Sequence, residues 1–317
     1  MRNRVVEISS NDRYLSRHRG FLKVATGGEE VGRIAIDDIG ALVLNAHGLS
    51  YSNDLFITMA KANIPIVVCD KNCMPVSWLW PAEANHVQAK RMDAQLICPK
   101  PRKKQIWKKI VQKKLIFQAD LLKELGFPDA PVRGLVKRVR SGDPDNIEAQ
   151  AARRYWTLLF GKNFIRDRSA AGTNSQLNYG YTVLRSSVAR AVMASGLHPT
   201  VSLNHKNKYN AFRLVDDLME PYRVIVDWKC FQLHDAGSLE LNPKTKERLV
   251  DSLYQPLLLG LESTSMLHSA YRMCASLAQC FEKDTDNITL PDAIIFNEEL
   301  QDKYSQWQSI DVDSIDV

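Results

Sequence analysis

The sequence predicts an α+β protein, in which a small β-sandwich-like N-terminal domain precedes a larger all-α domain. In the first 80 residues, apolar and polar side chains alternate with a period of two between Gly, Asn and Asp turns, as in half-buried strands. After Pro81 the chain becomes rich in Ala, Leu, Lys, Arg and Gln, which favour helices. A length of 317 residues, 45% of them hydrophobic, is sufficient for two globular domains.

Turn residues delimit the N-terminal elements. Strands are predicted in a small antiparallel sheet or sandwich over residues 5–9, within 14–26, and over 33–36, 41–44, 66–69 and 76–80. One helix interrupts them, with Ser52 or Asn53 as its cap and Pro65 as its end.

The chain divides into four predicted segments. They are a β-rich domain over 1–82, a linker over 83–90, a helical domain over 91–284 and an acidic tail over 285–317. In the tail, Asp and Glu accumulate without a periodic apolar face, which predicts a frayed end rather than a packed element.

Positive charge is concentrated in one part of the chain. The net charge is +6, yet residues 91–170 contain 19 Lys and Arg against 8 Asp and Glu. A polyanionic partner is therefore expected there, although a solvated charged face is the alternative. The densest run is Lys100, Arg102, Lys103, Lys104, Lys108, Lys109, Lys113 and Lys114, and Arg133, Lys137, Arg138 and Arg140 extend it.

Composition also excludes several classes of protein. No run of 18 apolar residues is present, and the N-terminus lacks the apolar core of a signal peptide, so we expect a cytoplasmic protein without membrane association. The six cysteines show no CxxC spacing, which favours free, buried thiols over a zinc site.

Two isolated residues are candidates for chemistry. Glu148 falls in the first turn of a helix that Asp145 or Asn146 can cap, where a carboxylate also simply complements the helix dipole. His205 lies in a polar loop that begins at Pro199, where a histidine either binds a ligand or is a hydrogen-bonded surface group.

A third segment contains a pair of carboxylates. Asp217 and Glu220 are three residues apart, which on a helix places both on one side. Such a pair repels unless a cation lies between its members, and Arg213 or Arg223 can supply that charge in a purely structural arrangement.

Together these residues form an oxygen-rich set with one imidazole, which suits Mg²⁺ or Mn²⁺. A divalent ion there can polarise a phosphodiester and activate water or a 3′-hydroxyl as the nucleophile. Hydrolysis and strand transfer differ only in the attacking oxygen.

The segments resemble, in order and spacing, the CRISPR-associated adaptation integrase family, the universal spacer-acquisition enzyme. The matching stretches are 146–156, 177–184, 196–199 leading to His205, and 217–223 followed by Asp227. No one stretch is specific, but the ordered set is. The resemblance spans about 285 residues from the N-terminus and is strongest to members from type II systems.

The resemblance implies an activity and a set of site residues. The activity is insertion of short duplex DNA into a CRISPR array by 3′-OH attack on a phosphodiester, in antiviral defence. Glu148, His205 and Glu220 are the implied metal ligands, and Asp217 is a neighbouring catalytic position. Many relatives have aspartate where this chain has Glu220, so whether Asp217 binds the ion or orients His205 stays open.

Partners are likewise implied by the resemblance. They are duplex DNA (spacer precursor and CRISPR repeat), a second copy of the chain bound through the β-rich domain, a small ferredoxin-like adaptation protein, and the RNA-guided effector nuclease of the same locus. Two other functions use the same residues: a metal-dependent nuclease that only hydrolyses DNA, and a non-catalytic DNA-binding scaffold whose carboxylates are structural.

Overall fold

The computed structural model describes residues 4–70, 75–79, 81–82, 85 and 87–296. Its N-terminal strands are β1 (Arg4–Ile8), β2 (Arg13–His18), β3 (Phe21–Thr26), β4 (Glu29–Ala35), β5 (Ile39–Leu44), β6 (Leu49–Tyr51), β7 (Ile66–Cys69) and β8 (Pro75–Leu79). Helix α1 (Asn53–Lys61) follows β6. Of the two predicted caps, Ser52 and Asn53, the hydroxyl of Ser52 caps it.

Within the described residues these strands form two four-stranded sheets, in the orders β1-β5-β7-β8 and β4-β3-β2-β6. Strands β1, β5 and β7 run parallel, and β8 is antiparallel to β7. The prediction of an antiparallel sheet is therefore wrong for the first sheet. Helix α1 lies in the crossover between β5 and β7, which returns the chain in the same direction.

A sandwich-like core lies between the two sheets. Leu15 and Leu22 of one sheet are buried with Leu42 and Ile66 of the other, and Leu55 of α1 joins them. Each such side chain contributes about 1.5–3 kcal/mol through burial. The β-sandwich-like N-terminal part of the predicted fold is confirmed.

The first sheet is covered on both faces. All six residues of β5 are buried, and Trp78 of β8 packs against the core of the helical part. At this joint Glu7 accepts hydrogen bonds from Nζ of Lys246 at 2.6 Å and from the hydroxyl of Tyr179 at 2.5 Å. Burial by itself raises the pKa of Glu7, but hydrogen bonds, foremost that from Lys246, lower it below its usual value.

The rest of the described chain is mostly helical. Its helices are α2 (Gln88–Ile97), α3 (Lys100–Glu124), α4 (Ala130–Arg133), α5 (Ile147–Phe160), α6 (Thr173–Ala194), α7 (Arg213–Leu218), α8 (Arg223–Asp235), α9 (Pro243–Val250) and α10 (Met266–Glu282). Because α2 begins at Gln88, the last residues of the predicted 83–90 linker are helical; residues 83, 84 and 86 lie outside the described residues. None of the described helices is long and apolar enough to cross a membrane.

A small antiparallel sheet makes this part mostly, rather than entirely, helical. It contains β9 (Pro256–Leu259), β10 (Glu262–Ser265) and β11 (Ala293–Ile294), with β9 in the centre. The sequence did not predict it because short apolar runs have no period that separates strand from helix.

The same sheet corrects the predicted 285–317 tail. Ile294 and Phe296 are buried, and β11 pairs with β9, so the chain is packed up to residue 296. Residues 297–317, which contain the rest of the predicted tail, lie outside the described residues.

Helices α6 and α8 approach closely at Gly180. A Cβ atom there would lie 2.5 Å from Cγ1 of Val226, so only glycine allows this contact. The close approach places Tyr181 of α6 beside Asp227 of α8, and their side chains hydrogen bond.

Candidate active site

Glu148 lies in the first turn of α5, at a doubly capped helix end. Of the two predicted caps, Asp145 and Asn146, the N-cap is Asn146, whose side chain accepts from the backbone N–H of Ala149 at 3.4 Å. Asp143 adds a second cap, because its carboxylate accepts from the N–H groups of Ile147 and Glu148 at 2.9 and 3.0 Å. Because Asp143 caps the helix end, the Glu148 carboxylate is not needed there and instead contacts Lys114 of α3.

Glu220 is almost fully buried between α7 and α8. Its Oε1 accepts from Nε of Arg223 at 2.9 Å, and its Oε2 accepts from Nζ of Lys114 at 2.5 Å. Burial by itself raises the pKa of Glu220, but these two cations outweigh it and lower the pKa to about 2. Glu220 is therefore ionised throughout the physiological range.

Asp217 and Glu220 have separate partners. Helix α7 ends at Leu218 and a 3₁₀ turn begins at Glu220, so the chain departs from the single helix that the sequence predicts for this pair. The Asp217 carboxylate is instead bound to the loop that carries His205.

The Asp217 carboxylate holds the imidazole and the backbone of this loop. Its Oδ1 lies 2.7 Å from Nδ1 of His205, and its Oδ2 accepts from the N–H groups of Leu203 and Asn204 at 2.7 and 3.1 Å. Because a carboxylate oxygen accepts, Nδ1 carries the proton, and in the neutral imidazole Nε2 then has the lone pair. The hydrogen bond with Asp217 raises the pKa of His205 above its usual value.

Lys114 joins two of the predicted site residues. Its Nζ donates to Glu148 at 2.6 Å and to Glu220 at 2.5 Å, and the residue is only 8% exposed. Burial by itself lowers the pKa of Lys114, but the two carboxylates raise it above its usual value, so the ammonium remains charged.

The expectation that the 100–140 cations face DNA is wrong for Lys114. A signal for its burial was present in the sequence, since Lys114 continues the stripe of Trp107, Ile110 and Val111 at helical spacing. Other cations of this run form ion pairs: Arg102 with Asp284, Lys109 with Asp286, Arg133 with Asp120 and Asp129, and Arg140 with Asp145.

A cleft of about 680 Å³ opens beside these residues. His205, Glu220 and Lys114 line it, whereas Glu148 is connected to its wall through Lys114. Its lining has four arginines and one lysine against the carboxyl groups of Asp216, Glu220 and Asp227, an excess of positive charge that suits a polyanion. The lining residues that carry most of its chemistry are Lys114, Gln118, Arg166, Arg168, Asn178, Tyr181, Arg185, His205, Glu220 and Arg223.

Residues 6–248 match the family described as CRISPR associated protein Cas1. The chain belongs to this family. It is 32% identical over 289 residues to the CRISPR-associated endonuclease Cas1 of Neisseria meningitidis serogroup C, covering 90% of this chain and 94% of that relative. The expected family is confirmed.

Two solved structures share the fold of this Cas1-family chain. A casposase bound to integration product superposes with a TM-score of 0.74 at 19% identity, covering 97% of this chain and 99% of that one. A Cas6-RT-Cas1–Cas2 complex superposes with a TM-score of 0.73 at 15% identity, covering 91% of this chain and 36% of that one. At these identities the similarity demonstrates the common fold.

A buried carboxyl forms the floor of the cleft. Asp227 accepts from the hydroxyls of Tyr155, at 3.0 Å, and of Tyr181. Burial raises the pKa of Asp227 to about 6. The guanidinium groups of Arg223 and Arg166 lie 4.6 and 5.6 Å from the ring centre of Tyr181, so the aromatic residue supports two of the cleft cations.

The loop that carries His205 is also anchored from α2. Gln95, which is fully buried, donates to the carbonyls of His198 and Val201 at 3.0 and 2.7 Å and accepts from the His198 N–H at 2.8 Å. Sequence analysis did not single out Gln95, since a lone glutamine on a helix carries no such signal.

The donor chemistry fits a divalent ion, although a lysine lies between the two carboxylates. Within the described ranges, no three His, Cys, Asp or Glu side chains gather closely enough to hold a metal ion. Glu148 and Glu220 nevertheless converge on a single positive charge, the Lys114 ammonium, and the neutral imidazole of His205 has its lone pair at Nε2. Carboxylate oxygens directed at one cation are what Mg²⁺ and Mn²⁺ require.

Proposed function

We propose that this Cas1-family chain is a metal-dependent DNA endonuclease and integrase. It inserts short duplex DNA into a CRISPR array, with the 3′-OH of the incoming DNA attacking a phosphodiester of the repeat. The observation that carries the proposal is the convergence of two carboxylates on one cation at a cleft lined by four arginines.

Glu148, His205 and Glu220 would hold Mg²⁺ or Mn²⁺ in this proposal. The ion would supply charge stabilisation at the attacked phosphodiester. Asp217 contributes by position, because its carboxylate keeps the proton of His205 on Nδ1 and presents Nε2 as the donor. Arg223 fixes the Glu220 carboxylate by donating a hydrogen bond to it.

The arginines of the cleft would bind the DNA backbone. Arg185 is held by a two-pronged contact with Asp216, and Arg166 donates to Asn174 and Asn178, so both guanidinium groups are positioned in advance. Arg168 is exposed and forms no ion pair within the described part of the chain. It is therefore the cleft cation most available to a phosphate.

The proposal includes an assembly and a location. The chain would act in the cytoplasm as a homodimer joined through its β-rich domain, with a small ferredoxin-like adaptation protein between dimers and the RNA-guided effector nuclease as a further partner. The shared fold with a chain of a Cas6-RT-Cas1–Cas2 complex supports a Cas2-containing assembly.

A strand-transfer assay tests this function. Labelled duplex DNA is incubated with a repeat-containing plasmid and Mn²⁺ or Mg²⁺, and joined products are separated from hydrolysed ones on a gel. We expect joined product from the wild type and none from Glu148→Ala or His205→Ala. Cleavage without joining would instead identify a hydrolytic nuclease, and wild-type activity in both variants would refute the assigned site.

A further inference from the structure

Lys114 occupies the position where the two carboxylates converge. Its ammonium lies 2.6 Å from Oε1 of Glu148 and 2.5 Å from Oε2 of Glu220, in an interior that leaves the lysine 8% exposed. A divalent ion bound by Glu148 and Glu220 needs these same groups. An ammonium and a metal ion repel, so they cannot share the space between the two carboxylates.

The charges of this cluster balance without a metal ion. Two carboxylates, Glu148 and Glu220, face two cations, Lys114 and Arg223. If the Lys114 ammonium stayed in place, a divalent ion bound by the same two carboxylates would lie directly beside it, and the repulsion at that distance in a largely buried site is strongly unfavourable. Binding of the ion therefore requires the Lys114 ammonium to leave the carboxylates.

A vacant acceptor lies one helical turn away. Gln118 is 3% exposed and lines the same cleft as Lys114, and its Oε1 has no hydrogen-bond partner among the described residues. Residues four apart on a helix are neighbours on one face, so the ammonium of Lys114 can reach this amide. A buried acceptor without a donor is unfavourable, and a charged N–H donor would satisfy it.

We propose that Lys114 is an exchangeable internal counter-ion. Its ammonium holds Glu148 and Glu220 together in the metal-free protein and moves to Oε1 of Gln118 when a divalent ion takes its place. This inference rests on the proposed function, because it assumes that the two carboxylates are metal ligands. Lys114 then lowers the affinity of the site for the ion, because its ammonium competes for the same carboxylates. Gln118 restores part of that affinity by accepting a hydrogen bond from the displaced ammonium.

Binding of Mn²⁺ alone to the full chain tests the exchange. Free Mn²⁺ is measured by electron paramagnetic resonance, and the Mn²⁺-induced shift in unfolding temperature is recorded in parallel. We expect Lys114→Met to bind Mn²⁺ about tenfold more tightly or better, since no ammonium competes. Gln118→Met should bind it about three- to tenfold more weakly, since the displaced ammonium loses its acceptor.

A double-variant cycle isolates the coupling between the two residues. In the Lys114→Met background, Gln118→Met should leave Mn²⁺ affinity unchanged, because no ammonium remains to be received. Lys123→Met is the matched control, an exposed lysine of the same helix, and should bind Mn²⁺ as the wild type does.

The outcomes separate this inference from the proposed function. Unchanged or weaker Mn²⁺ binding by Lys114→Met would overturn the exchange, as would an equal effect of Gln118→Met with and without the lysine. If Lys114→Met does not fold, the Mn²⁺ affinity of Gln118→Met still tests the inference. Wild-type Mn²⁺ affinity in Gln118→Met would refute the movement of the Lys114 ammonium to Gln118. Absence of Mn²⁺ binding by the wild type would refute the metal site itself.

Discussion

Nδ1 of His205 lies 2.7 Å from Oδ1 of Asp217, whose carboxylate also accepts backbone N–H bonds from residues 203–205. One fully buried side chain on α7 thus determines both the path of the loop and the direction of the imidazole. Among the described residues, the hydrogen bonds of the Asp217 carboxylate all go to the His205 loop, which favours an orienting role over direct binding of an ion.

Replacing Asp217 with Asn should separate these roles. The amide oxygen can keep the backbone N–H bonds of Leu203 and Asn204, but the amide nitrogen cannot accept from Nδ1 or from the backbone N–H of His205. Mn²⁺ affinity should therefore fall about 10- to 100-fold, with some loss of stability. Calorimetric titration of Mn²⁺ measures the effect, with the exposed Asp235→Asn as control. Wild-type affinity in Asp217→Asn would exclude the orienting role.

Gln95 should be required for the order of the His205 loop. Gln95→Leu removes three buried hydrogen bonds and leaves backbone groups of His198 and Val201 unpaired, at a cost of about 2–5 kcal/mol in the free energy of unfolding. Urea unfolding gives this loss, and hydrogen exchange should show faster exchange around residues 198–205. The exposed Gln279→Leu should change neither, and slow exchange in Gln95→Leu would contradict the anchoring role.

Arg168 should contribute to DNA binding by a single phosphate contact. Arg168→Ala is expected to weaken binding of duplex DNA of any sequence and to reduce the slope of log affinity against log salt by about one. Fluorescence anisotropy over a salt series measures both quantities. Arg153→Ala, an exposed arginine outside the cleft lining, is the matched control. An unaltered slope for Arg168→Ala would show that Arg168 does not contact a DNA phosphate.

Asp227 should make stability depend on pH. Its pKa is about 6 in the folded protein because it is buried, and about 4 in an unfolded chain. The folded state therefore binds the proton more tightly, so this carboxyl stabilises the fold below about pH 4 and the contribution is lost as pH rises through about 6.

The variant Asp227→Asn does not titrate and supplies the comparison. Its free energy of unfolding minus that of the wild type should rise by roughly 2 kcal/mol between pH 4 and pH 7. Urea unfolding across this range measures the difference. The exposed Asp93→Asn should show no comparable rise, and a flat difference for Asp227→Asn would refute the raised pKa.

Local signals in the sequence were sufficient for much of the fold. Period-two alternation identified most N-terminal strands. Each helix cap was predicted to within two residues, Ser52 or Asn53 and Asp145 or Asn146, because capping depends on neighbouring residues alone; the caps are Ser52 and Asn146. The parallel pairing of β1, β5 and β7 and the β9–β11 sheet were not predictable in this way, since pairing depends on residues far apart in the chain.

For the candidate site, the sequence by itself determined which groups are present: Glu148, His205, Asp217 and Glu220 in an order that identifies the family. Only the tertiary structure decided which of them meet. It joined Glu148 to Glu220 through Lys114 and assigned Asp217 to His205, because hydrogen bonds between distant segments depend on where α3, α5 and α7 pack. Lys114, which the charge pattern of the sequence predicts to contact DNA, is instead buried between two carboxylates.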